Sequence, residues 1–459
     1  MTFHLAIDIG ASSGRHIVGY LENGLLVTKE VYRFTNGMKN SDGALIWDIQ
    51  ALFDEVLNGL AACREQGFVP STVAVDTWGV DYVLLDAEGN EILPVFAYRD
   101  GGTARVLDEV ADIVSREELY RRTGIQHQDF NTLYRLFVDK KLGRLEGASA
   151  MLMMPEYINY KLTGVICAEY TNASTTGLLN AVSKDWDFDT IDRLGLPSRL
   201  FGELHQPCHE VGFFTEAVAQ RLGYNARVLL CPSHDTASAV AACPMDRDGV
   251  YISSGTWSLV GAENTVPVLS EKAKEANFTN EGGICGTYRF LKNIMGMWLF
   301  QGIRKSIGAE YGYDDMMRLG MSSEHGGIFD PNAKELVAPE DMLTALRHLL
   351  GDEDMSLGKV LASVYHSLAL SYAEAIKEIE ALSEREFSAV HIIGGGSRDG
   401  YLNALSAKYT GKKVFAGPTE ATAVGNLISQ IMSTDSNISI YDARELVKAS
   451  FGVTEVLGV

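Results

Sequence analysis

The chain has 459 residues, 46% hydrophobic and 22% charged, ordinary globular usage that excludes a disordered chain or a coiled-coil rod and suffices for two or three domains. Its 39 Lys and Arg stand against 60 Asp and Glu, a formal net charge of −21, which repels phosphate backbones and anionic lipid and so argues against nucleic acid and membrane partners. A phosphorylated small ligand stays admissible, best with a bridging Mg2+, because a few backbone N–H groups and one divalent cation neutralise it locally.

Met1 to Asp8 has no basic start and reaches an acidic residue early, so no signal peptide is expected. No run of about 18 uncharged apolar residues suggests a membrane span. Six cysteines without a C-x-x-C pair fit a reduced, cytoplasmic protein.

Leu5-Ala-Ile-Asp-Ile9, Gly10 to Gly14 and Arg15 to Tyr20 read as strand, small-residue turn and strand, with Leu26 to Phe34 as a third, antiparallel strand. Residues 48–66 carry helical spacing through Leu52, Val56, Leu60 and Cys63, and Thr72 to Asp76 is an apolar strand. The pattern is mixed α/β. Further on, Arg227 to Cys231 reads as a buried strand, followed by a loop to Thr236 and a small-residue helix from Ala237 to Ala242.

Val250 to Gly261 repeats the opening strand, Ser/Gly/Thr turn and strand, which suggests two homologous halves broken near Ala242 to Gly249, as domains 1–243 and 244–459. Lys292 to Gln301 reads as a helix that sets Asn293 and Gln301 about two turns apart on a similar face. Ser356 to Arg385 is a long helix leading to the strand Ser388 to Ile393, the turn Gly394-Gly-Gly396 and a helix around Leu402 to Tyr409. A strand entering three glycines and a helix is a nucleotide-site architecture, because glycine lets backbone approach a ligand closely.

Asp8-Ile-Gly-Ala-Ser-Ser-Gly-Arg15 is a candidate phosphate loop: Gly10 and Gly14 can take positive φ and aim N–H groups at an anion, Arg15 can meet a phosphate and Asp8 can hold Mg2+ through water. An ordinary hairpin is the plain alternative, but Ser253-Ser-Gly-Thr-Trp-Ser258 repeats the design, and two such tips with the triple glycine suit a nucleoside triphosphate. The P-loop pattern is absent, and the dinucleotide fingerprint fails where Asp399 replaces its last glycine.

Asp235 in Ser233-His-Asp-Thr236 is a candidate base for a hydroxyl proton, with Asp235 or Thr236 as a mere helix cap the alternative. Asp76-Thr-Trp-Gly-Val-Asp81 suits a sugar, or is a strand-end turn around a core Trp78. His205-Gln-Pro-Cys-His209 has ligand-type residues but no second Cys/His pair in sequence, and reads as a loop rather than a zinc site.

These strings, with Ala97-Tyr-Arg-Asp100, Glu169-Tyr-Thr-Asn172 and Lys292-Asn-Ile-Met-Gly296, resemble the FGGY carbohydrate kinases of the actin-like ATPase superfamily along nearly the whole chain. The resemblance implies an α/β protein of two ribonuclease-H-like domains, each a mixed sheet flanked by helices, with the active site in a cleft between them. It implies ATP-dependent phosphorylation of L-rhamnulose at its 1-hydroxyl, in a monomer or homodimer. Asp235 becomes the proton acceptor, and Gly79, His234, Thr236 and Asn293 line the ketose. Ala11, Ser12, Ser13, Gly14, Arg15, Thr256, Gln301 and Gly395 take the nucleotide-contacting positions, and Mg2+ is expected near Asp8.

Relatives often carry an Arg two places after the Asp of Tyr-Arg-Asp, whereas Asp100 is followed here by Gly101 and Gly102. No long C-terminal tail is expected after the last helix. Another ketose, such as L-fuculose or xylulose, preserves the mechanism, because epimers differ by one or two hydrogen bonds. A non-enzymatic nucleotide switch or an NAD-dependent dehydrogenase fits the combined motifs less well.

Overall fold

A computed structural model describes residues 1–308 and 311–456. They form two compact units, each discontinuous in sequence. The first contains Met1–Ala242, Asn264–Phe290 and Thr422–Ser450, and the second contains Cys243–Glu263, Leu291–Ala421 and the stretch from Phe451.

In the first unit a mixed sheet runs Glu210–Phe213, Arg227–Leu229, Thr72–Thr77, His4–Ile9, Ser13–Glu22, Leu25–Thr35. The His4–Ile9 strand lies antiparallel to Ser13–Glu22 and parallel to Thr72–Thr77. Its alternation decides what each face does. Leu5, Ile7 and Ile9 join Val73, Val75 and the helix Ile49–Glu65, whose Phe53, Val56 and Leu60 are buried on the same core. Asp48 starts that helix by accepting a hydrogen bond from Ala51 N at 2.9 Å. On the opposite face Ala6 and Ile17 pack with Ala423 and Leu427 of the helix Ala421–Thr434. The small residues let this helix come close: a Cβ at Gly425 would lie 1.7 Å from Ser238 O.

The second unit repeats the strand plan. Gly249–Ser254 is antiparallel to Trp257–Asn264 and parallel to Ala389–Ile393, which pairs in turn with Lys413–Ala416. The helix Leu357–Ser383 buries Val360, Leu361, Val364, Leu368, Tyr372, Ile376 and Ile379, in keeping with its 3.6-residue period.

The stretch Lys292 to Gln301 is not one helix. Tyr288–Met295 is a strand and Trp298–Ile307 a helix, so Asn293 and Gln301 belong to different elements. A short apolar run fits either period. Here Gly296 decides the break, because it packs so tightly on the neighbouring hairpin that a Cβ would sit 2.4 Å from Ser258 Oγ and 2.9 Å from Ser258 N.

Candidate active site

Strand register in the first unit assembles an acidic row. Asp8 pairs with Arg15 on one side and with Asp76 on the other, so three charged residues lie side by side on the sheet. Arg15 Nε and Nη2 reach Asp8 Oδ2 at 2.9 and 2.7 Å. Asp76 is fully buried; its Oδ2 accepts from Asn426 Nδ2 at 2.6 Å, and its Oδ1 has no hydrogen-bond partner among the described residues. Burial pushes the Asp76 carboxyl well above the usual range, and the charges of Asp8 and Asp235 add to this against the Asn426 hydrogen bond and Arg15. A buried carboxylate with an unused oxygen beside two further acids fits a hard divalent cation.

Asp235 reaches this place through a braced loop. Thr77 N donates to Ser233 O at 2.9 Å, and Thr77 bridges to His234 in parallel fashion. Glu169, fully buried, accepts at Oε2 from Ser233 Oγ (2.6 Å), Ser233 N (3.2 Å) and Thr171 Oγ1 (2.6 Å). Burial raises its carboxyl, and these hydrogen bonds oppose the rise.

The helix Asp235–Ala241 begins at Asp235 itself, with His234 in the cap position. Asp235 is therefore not the cap. Its Oδ1 accepts from Thr236 N at 2.6 Å and from Thr236 Oγ1 at 3.1 Å, while Oδ2 takes no hydrogen bond among the described residues and the side chain is 32% exposed.

His234 is held from beneath. Arg289, completely buried, donates from Nη2 to His234 Nδ1 at 3.0 Å and to Glu281 Oε2 at 2.9 Å, and from Nε to Gly282 O at 2.8 Å. With Nδ1 accepting, a neutral ring carries its proton on Nε2, the nitrogen 3.5 Å from Asp235 Oδ1. Burial works against ionisation of Glu281, but the Arg289 guanidinium outweighs it and holds the carboxyl down at about 2. Arg289 Nη1 finds no partner among the described residues, a spare donor beside His234.

Around Gly79 the chain turns sharply, with Val80 at φ 70° and a would-be Gly79 Cβ 3.0 Å from Thr175 Oγ1. Trp78 and Asp81 on either side are structural. Asp81 Oδ2 accepts from Trp47 Nε1, Trp78 Nε1 and Tyr98 N at 2.6, 2.9 and 3.2 Å, and Trp78 packs on Trp47 at 4.3 Å. In the Tyr98-Arg-Asp100 turn, Gly101 adopts φ 71° as the closing residue, whereas Gly102, the position of the departure, has no positive φ, and a Cβ there would lie 2.7 Å from Asp100 Oδ2.

The phosphate-loop glycines behave differently from expectation. Neither Gly10 nor Gly14 has positive φ. Gly14 lies inside the Ser13–Glu22 strand, where a Cβ would meet the Phe34 ring at 2.1 Å, so packing demands it. Ala11, Ser12 and Ser13 form the tip, braced by Asn36 Nδ2 on Gly10 O (2.9 Å) and Asn36 N on Ser12 O (3.0 Å).

In the second unit the Ser254-Gly-Thr256 tip is gripped at its carbonyls. Met297 N donates to Gly255 O at 3.0 Å, and Gly296 N and Trp298 N donate to Thr256 O at 3.2 and 3.1 Å. This places the start of the Gln301 helix on the tip. Below it, Ser258 Oγ meets Tyr372 Oη at 2.6 Å. Gly394, at φ 82°, and Gly396 both press on Ser254, where their Cβ atoms would come within 3.0 Å of its O and 2.0 Å of its Oγ. Gly395 faces open space. Thr256, Gln301 and Gly395 are thus brought together around one tip, and Asn293 lies half-buried in the adjoining strand.

Residues 3–242 match the N-terminal domain, and residues 250–434 the C-terminal domain, of the FGGY family of carbohydrate kinases. The chain belongs to that family. It is 41% identical over 454 residues to the rhamnulokinase of Oceanobacillus iheyensis, with 98% of this chain and 97% of the relative covered. The corresponding figure for the rhamnulokinase of Bacillus subtilis is 40% over 458 residues, with 98% and 94% covered. In fold, this FGGY kinase is similar to a ligand-bound xylulose kinase from Lactobacillus acidophilus, at TM-score 0.82 and 15% identity over 100% of this chain and 94% of that one. A Plasmodium falciparum glycerol kinase with ADP gives TM-score 0.78 at 13% identity, over 99% and 94%.

Four residues of this sugar kinase escaped the sequence reading in their present roles: Asp76, Glu169, Glu281 and Arg289. Asp76 carried a signal, since its strand matches the Asp8 strand in length and apolar character. Arg289 and Glu281 carried none, because their partner His234 lies 55 residues away from Arg289.

Proposed function

We propose that this kinase transfers the γ-phosphoryl group of ATP to the 1-hydroxyl of L-rhamnulose, giving L-rhamnulose 1-phosphate and ADP in the cytoplasm. The observation that carries the substrate is the run of rhamnulokinases at 37–42% identity along almost the full chain; the carrier of the chemistry is Asp235, which keeps Oδ2 free beside His234.

Asp235 Oδ2 takes the hydroxyl proton as the sugar oxygen forms its bond to the γ-phosphorus and the bond to the ADP oxygen breaks. Gly79, His234, Thr236 and Asn293 hold the ketose, and Arg289 fixes the His234 tautomer that donates outward. Ala11 to Arg15, Thr256, Gln301 and Gly395 address the nucleotide; residues 1–243, the sugar-binding domain, thus also supply the Ala11 to Arg15 loop, and residues 244–459, the nucleotide-binding domain, also supply Asn293 to the ketose.

Asp8, with Asp76 behind it, would hold Mg2+; when bound, the ion neutralises phosphate charge. Arg15 keeps Asp8 oriented. The deciding experiment is ADP release across a panel of ketoses, aldoses and polyols. L-rhamnulose should give the highest kcat/KM, and a clear preference for L-fuculose or xylulose would overturn the substrate while leaving Asp235 untouched.

A further inference from the structure

Away from the acidic row, the first unit gathers a second set of ligating side chains. Cys167 Sγ and one ring nitrogen each of His205 and His209 lie within 4.8 Å of one another. Tertiary pairing makes this cluster: Ala168–Glu169 pairs in parallel with Leu204–His205, which delivers Cys167 to a loop 38 residues further along. The loop is shaped to present both imidazoles. Cys208 takes a left-handed φ of 74°, uncommon for a residue with a side chain. It is pinned there by its N on Leu230 O (2.7 Å), by Sγ on Ser429 O (3.3 Å) and by Ser433 Oγ on its carbonyl (2.9 Å). Leu230 N donates to His209 O at 2.8 Å. The rings of His205 and His209 then stack at 4.0 Å and 17°.

We infer that Cys167, His205 and His209 form a binding site for a thiophilic divalent metal ion of the zinc class, distinct from the Mg2+ place at Asp8. One thiolate and two imidazoles are a borderline-soft donor set that discriminates against Mg2+ and Ca2+. Tetrahedral ligands about 2.0–2.3 Å from zinc stand about 3.5 Å apart, so closing the site needs only small side-chain movements, eased by the exposure of His209 and the partial exposure of His205. A water completes the shell. Binding releases the Cys167 proton to solvent. The ion would tie the Ala168–Glu169 strand to the 203–209 loop, and Glu169 is the carboxylate that braces Ser233 ahead of Asp235.

The test uses the full-length, untagged chain, stripped with chelator and titrated with Zn2+ against a chromophoric competitor, and separately with Co2+. The native chain should bind about one equivalent, show a thiolate-to-cobalt charge-transfer band and unfold at higher temperature with Zn2+. His209→Ala, a change at an exposed position, should weaken Zn2+ binding by at least about 100-fold. Cys167→Ser should also abolish the cobalt band, whereas Cys208→Ser should keep it. Native binding no tighter than that of His209→Ala, or a charge-transfer band that disappears in Cys208→Ser and persists in Cys167→Ser, would overturn the site.

Discussion

Replacing Asp235 by Asn isolates the proposed base from the architecture around it. Both hydrogen bonds that Asp235 accepts, from Thr236 N and Thr236 Oγ1, enter Oδ1, and an amide oxygen can accept them equally. The opposite atom becomes an NH2 that cannot take a proton. The start of the Asp235–Ala241 helix is therefore preserved, and unfolding stability should change by less than about 1 kcal/mol. Catalysis loses the base, worth about 10²–10⁴-fold, or roughly 3–5 kcal/mol of transition-state stabilisation at 1.36 kcal/mol per decade. The measurement is ADP production with saturating ATP and ketose, together with the ATP KM and the urea midpoint. A lower kcat, with KM for ATP and the midpoint unmoved, is the expected outcome. A kcat within about tenfold of the parent would refute the base.

Asp76→Asn removes a buried charge that the fold holds at a cost while keeping an oxygen for Asn426 Nδ2. The Tm should stay level or rise, whereas kcat should fall by at least about 10²-fold and demand more Mg2+; unaltered Mg2+ dependence would count against the acidic row. Gly425→Ala pushes a methyl to 1.7 Å from Ser238 O, prising apart the helices Asp235–Ala241 and Ala421–Thr434. A loss of about 1–3 kcal/mol by denaturant titration, with lower kcat, is expected, and wild-type stability would refute this packing.

His16 is completely buried, and burial lowers its pKa from 6.5 to about 4 against the raising effect of the Val56 carbonyl. The unfolded ring therefore takes up a proton near pH 6.5 while the folded one refuses it until about 4, so stability present above pH 6.5 is lost as pH falls towards 4. That lowering from 6.5 to about 4 is worth about 3 kcal/mol. His4, also lowered to about 4, contributes in the same sense. The urea midpoint should drop between pH 7 and pH 5, and less steeply in His16→Gln; parallel profiles would reject the assignment.

The strand-turn-strand at the start, its repeat at Val250, the long helix at Leu357 and the triple glycine were legible because each element's periodicity and turn chemistry are local. Lys292 to Gln301 was not, since its break depends on Gly296 meeting Ser258. Gly14 misled for a similar reason: a glycine's small size and its freedom of φ look alike in a sequence, and only the Phe34 ring shows which is used.

The order of residues alone determined the α/β character, the candidate base Asp235 and the words shared with the FGGY kinases, all of which reside in short contiguous runs. Tertiary structure alone decided that Asp76 stands beside Asp8, that Arg289 orients His234, that Glu169 braces Ser233 and that Cys167 joins two histidines. Those relations arise from parallel strand register and from residues 38 to 68 positions apart, and the entropy of closing such loops is offset only by burial across the whole sheet. No local spacing records them.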